Sequence, residues 1–209
     1  PVGLMSHFAN ADLVDDPRNQ QQMTAILAIT EDDHSISMAN SAAILSFPVS
    51  HQQWLRPGLM LYGVSPFADK TAADLDLKPV MQLKSVLTAI QNIEAGEQVG
   101  YGGDWTATKD TLVGTVSIGY GDGYSRQLSN VGQVSINGKL VEVLGRISMD
   151  MICIDLQASP SAKIGDEVVL WGNEQLSVEL VAKLANTIPY ELMCQVSTRV
   201  AREYHYGQS

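Results

Sequence analysis

The chain has 209 residues, 45% hydrophobic and 17% charged, which is enough for one large domain or two small ones with real cores. Its net charge of -10 and sequence pI near 4.7, without any basic cluster, argue against nucleic-acid binding. No apolar stretch approaches the ~18 residues of a membrane-spanning helix, so no membrane span is expected.

The chain opens Pro1-Val2-Gly3-Leu4 without Met, as though inside a strand, and is expected to be a piece of a longer polypeptide. No signal peptide is visible, so a cytoplasmic protein is expected. Val2 to Phe8 reads as a buried strand. Asp15 to Ile29 reads as a helix with Pro17 in its first turn and Met23, Ile26 and Leu27 on one apolar face. Ser35 to Met38 is a short strand, Ser41 begins a short helix carrying Ile44 and Leu45, and Gly58 to Tyr62 is a short apolar strand or turn. This alternation predicts an α/β region with parallel strands over residues 1–79.

From Val80 to the end the pattern is mostly β. The runs Leu112–Ile118, Gly132–Ile136, Leu140–Leu144, Met151–Leu156 and Glu167–Trp171 are separated by turn residues, the spacing of a small sandwich or barrel. Asn137-Gly138 is a hairpin signal, because a type I′ turn needs positive φ at both central residues. One helix interrupts, with Ser177 as N-cap, Val181, Leu184 and Ala185 continuing its pattern, and Pro189 ending it. Cys153 and Cys194 sit among apolar neighbours and are expected to be buried reduced thiols.

Candidate functional residues fall at strand ends and loops, and each has a plain structural alternative. His7 ends a strand, where α/β barrels collect functional side chains, but a histidine between apolar residues is commonly a satisfied core residue. Ser41, after Asn40, would sit at a helix N-terminus, either as an ordinary cap or as part of an anion site. In Leu55-Arg56-Pro57-Gly58-Leu59, Gly58 would allow close backbone approach to a phosphate and Arg56 would supply a fixed donor fork; the alternative is a turn with a solvated arginine. Gly119-Tyr120-Gly121-Asp122-Gly123 makes a tight turn around a phenol, which works as an acid or base where a nearby cation stabilises its anion. Otherwise it is a hairpin turn with a surface tyrosine. Arg146 and Asp150 read as a structural pair, and Tyr190 reads equally as a core residue with its hydroxyl satisfied. His34, His51 and His205 have no ligand spacing, so no metal site is expected.

Seven segments in order along the chain resemble the alanine racemase family, a family of pyridoxal-phosphate enzymes. They are Ser6-His7-Phe8-Ala9-Asn10-Ala11-Asp12, Ala39-Asn40-Ser41-Ala42-Ala43, the run Leu55 to Gly63, Val99-Gly100-Tyr101-Gly102-Gly103, Gly119 to Tyr124, Gly145 to Met151, and Pro189-Tyr190-Glu191-Leu192. The resemblance implies α/β plus all-β architecture: residues 1–79 as the last part of a (β/α)8 barrel, and 80–209 as a β-rich C-terminal domain carrying the catalytic tyrosine. It implies interconversion of L- and D-alanine by two bases on opposite faces of a cofactor-bound amino acid, supplying D-alanine for cell-wall synthesis. By resemblance Tyr120 is one base, reaching a partner subunit in a homodimer, and a chain of hydrogen bonds through His7 to Arg56 supports it. Arg56 would also donate to the ring nitrogen of the pyridoxal 5'-phosphate. An arginine cannot readily give up a proton, so that nitrogen stays unprotonated and side reactions such as transamination are limited. Asn40, Ser41, the Gly58 and Leu59 backbone and Tyr190 would bind the cofactor, the Met149 amide would bind the substrate carboxylate, and Arg146 and Asp150 would shape the entrance.

The sequence also departs from the family. The cofactor lysine belongs to a Lys-Ala-Asn-Ala-Tyr-Gly-like context that none of Lys70, Lys78, Lys84, Lys109, Lys139, Lys163 and Lys183 has. The earlier barrel segment whose arginine holds the substrate carboxylate is likewise missing. The isolated chain is therefore expected to be inactive, completed by a missing N-terminal barrel segment. A histidine found in some relatives near the phosphate loop is Ser37 here. Two other readings stay open: a non-catalytic folding or dimerisation fragment, and a broad-specificity amino-acid racemase.

Overall fold

The computed structural model describes residues 3–30 and 34–205 and divides into two compact units, Pro1–Val80 and Met81–Ser209.

In the first unit, β1 (Gly3–Met5) pairs in parallel with β2 (Ser35–Ser37), in the register Gly3↔Ser35, Leu4↔Ile36 and Met5↔Ser37. The strand expected over Val2 to Phe8 is shorter than its apolar run. Val2 lies outside the described residues, and past Met5 a single ladder bond continues, from the Ser6 amide to the Ser37 carbonyl. Helix α1 (Pro17–Ala28) starts where Pro17 predicts, with Asp16 as N-cap accepting from the Arg18 amide. The Arg18 side chain and amide hold the Asp16 carboxyl well below the ordinary carboxylate range. Met23 and Ile26 are buried on the helix's inner face, whereas Leu27 is 43% exposed. It stands one position, about 100°, round the helix from Ile26, beyond the buried stripe. Phe8, Met23, Ile36, Met38 and the alanines at the start of α2 (Ser41–Ser46) form the core. Phe8 meets Phe47 edge-on, with ring centroids 5.6 Å apart.

Leu59–Tyr62 forms a 3-10 turn and not a strand. The cause is local: the amides of Gly58 and Met60 are taken by the Ser41 hydroxyl, which no sheet ladder allows.

The second unit is an antiparallel closed barrel. Its strands are β3 (Leu83–Ile93), β6 (Thr111–Val116), β7 (Gln133–Ile136), β8 (Lys139–Leu144), β9 (Ile152–Asp155) and β10 (Glu167–Trp171), in the order β10-β3-β6-β9-β8-β7. A two-stranded ribbon, β4 (Gln98–Val99) with β5 (Trp105–Thr106), stands beside them in sequence. Strand β3 joins two partners because its register shifts between Leu87 and Ala89, where a bulge bends it from β10 towards β6. Leu87, Val134, Ile136, Ile154, Val168, Leu170 and Trp171 point inward and fill the barrel. At the β7–β8 hairpin Asn137 and Gly138 have φ of 51° and 72°, the conformation a type I′ turn requires.

Ser177 caps α3 (Val178–Leu184) as expected, its hydroxyl accepting from the Leu180 amide. Pro189 does not end that helix: α3 stops earlier, Asn186 takes positive φ, and Pro189 opens α4 (Pro189–Gln195). Proline at the first helical position loses no hydrogen bond, so it initiates as readily as it terminates. The expected pair of buried thiols is also corrected. Cys153 on β9 is partly buried, and burial raises its pKa, while Cys194 is exposed. On α4 the buried position is Leu192, and two residues further round the helix Cys194 faces away from it.

Candidate active site

The first unit builds a cradle around two fixed side chains. Ser41, the first residue of α2, is buried, and its Oγ accepts from the Gly58 amide at 2.9 Å and the Met60 amide at 3.3 Å. Asn40, and not Ser41, is the N-cap: its Oδ1 accepts from the Ala43 amide at 3.0 Å. One hydroxyl thus ties the first turn of α2 to the Gly58–Met60 turn. The amides of Ser41, Ala42 and Leu59 have no acceptor among the described residues. Ser41 also keeps its own O–H free to donate, so several donors without acceptors of their own gather around one buried oxygen.

Beside it, Arg56 is locked. Its Nη1 donates to Ser37 Oγ at 2.5 Å, and its Nη2 donates to the Ser6 carbonyl at 2.7 Å and to His7 Nδ1 at 3.1 Å. Of the guanidinium's five N–H donors, Nε–H and one Nη1–H remain uncommitted. His7 is exposed and not a core histidine. A guanidinium can only donate, so the contact with Arg56 assigns Nδ1 as the acceptor and Nε2 as the N–H side of the ring. The Asn40 Nδ2 lies 3.4 Å from that Nε2, but its carboxamide cannot turn its oxygen to the ring without losing the α2 cap. Two donors therefore face each other there. The Nε2–H is left seeking an acceptor.

In the second unit, Tyr120 and Met149 line a cleft of about 340 Å³ with Arg126, Arg146 and a second phenol, Tyr101. The Tyr120 turn is pinned by its amides: Tyr120 N–H donates to the Ser148 carbonyl at 3.0 Å and Gly121 N–H to the Met149 carbonyl at 2.9 Å. The backbones lie so close that a Cβ on Gly119 would stand 2.3 Å from the Ser148 oxygen. Asp122 Oδ2 accepts from the Gly119 amide at 2.9 Å and closes the turn. The Met149 amide has no acceptor among the described residues. Arg126 has no ion-pair partner among them, so the cleft is cationic in a net-negative chain.

Arg146 and Asp150 do not pair with each other. Arg146 pairs with Asp104, and Asp150 Oδ1 accepts from Arg199 at 2.5 Å. Tyr190, on α4, is neither buried nor hydrogen-bonded among the described residues, so it is not a satisfied core residue. Sequence reasoning assigned Tyr101 no role. It stands on a 3-10 turn whose glycines Gly100, Gly102 and Gly103 all have positive φ, and it is 72% exposed against 44% for Tyr120. The signal was available: glycines flank Tyr101 as they flank Tyr120.

Tyr124, the last residue of the same turn, is the opposite case. It is fully buried, its hydroxyl has no hydrogen-bond partner among the described residues, and burial drives its pKa well above the ordinary phenol value. Tyr124→Phe should therefore unfold at the same denaturant concentration or a higher one, a gain of up to about 1 kcal/mol, because an unsatisfied buried hydroxyl is removed at nearly constant shape.

Free amides around a buried hydroxyl, next to a fixed guanidinium in a parallel α/β unit, form a site suited to a small phosphorylated molecule. Residues 1–66 match the family model for the alanine racemase N-terminal domain, and residues 80–204 match that for the C-terminal domain. The alanine racemase of Aeromonas hydrophila is 47% identical over 205 residues, 98% of this chain. The biosynthetic alanine racemase of Pseudomonas aeruginosa superposes with a TM-score of 0.90 at 44% identity, covering 98% of this chain and 57% of that one. The Bartonella henselae alanine racemase with covalently bound pyridoxal phosphate superposes at 0.87 and 34% identity over 97% of this chain and 56% of that one. The chain belongs to the alanine racemase family: its first unit is the closing part of an α/β barrel and its second the C-terminal β domain. It spans 57% of the length of the Aeromonas relative.

Proposed function

We propose that this chain contributes to the interconversion of L- and D-alanine with pyridoxal 5'-phosphate, as a cytoplasmic homodimer that supplies D-alanine for the cell wall. The observation that carries the reading is the Arg56 network beside the Ser41 cradle. Ser41, with the Gly58 and Leu59 backbone, would hold the phosphate. Arg56 has two donors to spare for the ring nitrogen. Asn40 shapes the cradle through the α2 cap and its approach to His7. When bound, the cofactor supplies an electron sink that acidifies the α-proton of an amino acid.

The chain's own residues then move and place the proton. A phenol of one protomer's cleft serves the cradle of its partner, and His7 Nε2–H donates to the phenol oxygen, which stabilises the deprotonated form. The sequence reading gives this role to Tyr120. Tyr120 is 44% exposed and lines the cleft, so it is not sealed inside its own domain. Tyr101 lines the cleft beside it. The Met149 amide receives the substrate carboxylate, and Arg146 with Asp150 borders the entrance.

The lysine for the opposite face is not among the family-matching segments of this chain, so the 209 residues alone should form no D-alanine from L-alanine. Completed to its relatives' length and given pyridoxal phosphate, the protein should do so. Turnover by the 209 residues alone, or none by the completed protein, overturns the reading.

A further inference from the structure

The C-terminal segment after α4 reaches back to the Tyr120 turn and clamps it. Arg199 Nε and Nη2 both donate to Asp122 Oδ1, at 3.0 and 2.8 Å, and Nη2 also donates to Asp150 Oδ1 at 2.5 Å. The Ser197 amide donates to the Asp122 carbonyl at 3.0 Å. The guanidinium approaches the turn closely, since a Cβ on Gly121 would be 3.2 Å from Arg199 Nη1, and the segment packs on it too, since one on Gly123 would meet the Gln195 carbonyl at 2.3 Å.

The two carboxylates belong to different arms of the cleft. Asp122 closes the turn that presents Tyr120, through the Gly119 amide. Asp150 follows Met149, whose amide is free and whose carbonyl receives the Gly121 amide. We infer that Arg199 is a positioning residue that sets the spacing between the Tyr120 phenol and the Met149 amide, and with it the fit of the substrate carboxylate. A forked guanidinium suits this because it binds two carboxylates at fixed angles, which an ammonium cannot do. The inference rests on the reading of this cleft as the substrate-facing half-site.

The test uses the full-length enzyme loaded with pyridoxal phosphate. Arg199→Gln should raise KM for alanine tenfold or more while cofactor occupancy, read from the visible spectrum, stays at the wild-type level. Arg199→Lys should recover part of the loss by holding one carboxylate. Should Arg199→Gln fail to fold, Asp150→Asn leaves the Asp122 arm intact and should still raise KM severalfold. Unchanged KM in the variants that fold, or activity lost only in proportion to lost cofactor or thermal stability, overturns the assignment. The phenol variants Tyr101→Phe and Tyr120→Phe separate the two levels. If neither lowers turnover, the reading of the cleft has failed. If one does while the Arg199 and Asp150 variants keep a wild-type KM, only the positioning role has failed.

Discussion

Replacing Tyr120 by phenylalanine in the full-length enzyme should lower racemisation by about 10²- to 10⁴-fold, the usual contribution of a positioned acid–base group. Pyridoxal phosphate should still bind, because the cradle of Ser41, Gly58 and Leu59 and the Arg56 network do not include this phenol. In deuterated solvent the variant should still exchange the α-hydrogen of one alanine enantiomer and lose exchange of the other, since only one face loses its base. Tyr101→Phe should cost less than tenfold. The reverse order of the two losses would move the base role to Tyr101, the more exposed phenol of the cleft. Loss of cofactor in either variant would mean that the phenol is structural. Tyr120 is held by a turn whose amides are bonded to the Ser148 and Met149 carbonyls, which fixes its position, whereas Tyr101 rides on a glycine turn.

The second large effect concerns Gly119. A methyl group there would stand 2.3 Å from the Ser148 carbonyl oxygen and 2.4 Å from the Met149 carbonyl group. These are backbone atoms, so no side chain can swing away to make room. Gly119→Ala should destabilise the second unit by roughly 3 kcal/mol, the upper part of the range for overpacking. Thermal denaturation should then shift down by roughly 6–12 °C. Gly138→Ala is the matched control. Its φ of 72° is strained for alanine, but nothing lies within 4 Å of the added atom, so the cost should be about 1 kcal/mol. Equal shifts in the two variants would show that the turn has room to give.

What the sequence made legible were features written in local chemistry. The Asn137-Gly138 hairpin, the Ser177 cap and the Pro17 helix start each depend on a few adjacent residues, and each stands as read. Strand β3 was invisible because its bulge at Leu87–Ala89 breaks the alternation of inward and outward residues that marks a strand. Pro189 was ambiguous in principle, since the same ring that ends one helix begins another. In the candidate site, His7, Ser41 and Arg56 were legible as motifs, but their relations were not. That Ser37 is the partner of Arg56 requires residues 19 apart to meet. Arg199 left no sequence signal, because its partners Asp122 and Asp150 lie 77 and 49 positions away. Arg146 and Asp150 were misread as a pair because nearness in sequence stood in for nearness in space.

The Asn40 carboxamide has a consequence for which residues this position can tolerate. Asparagine and aspartate are nearly interchangeable as helix caps. Here they are not equivalent, because the second atom of the group faces an imidazole. An aspartate would keep the Ala43 bond with one oxygen and with the other would capture the ring proton that asparagine leaves available. A choice that is neutral for the helix thus decides whether the histidine is engaged or open to a visitor.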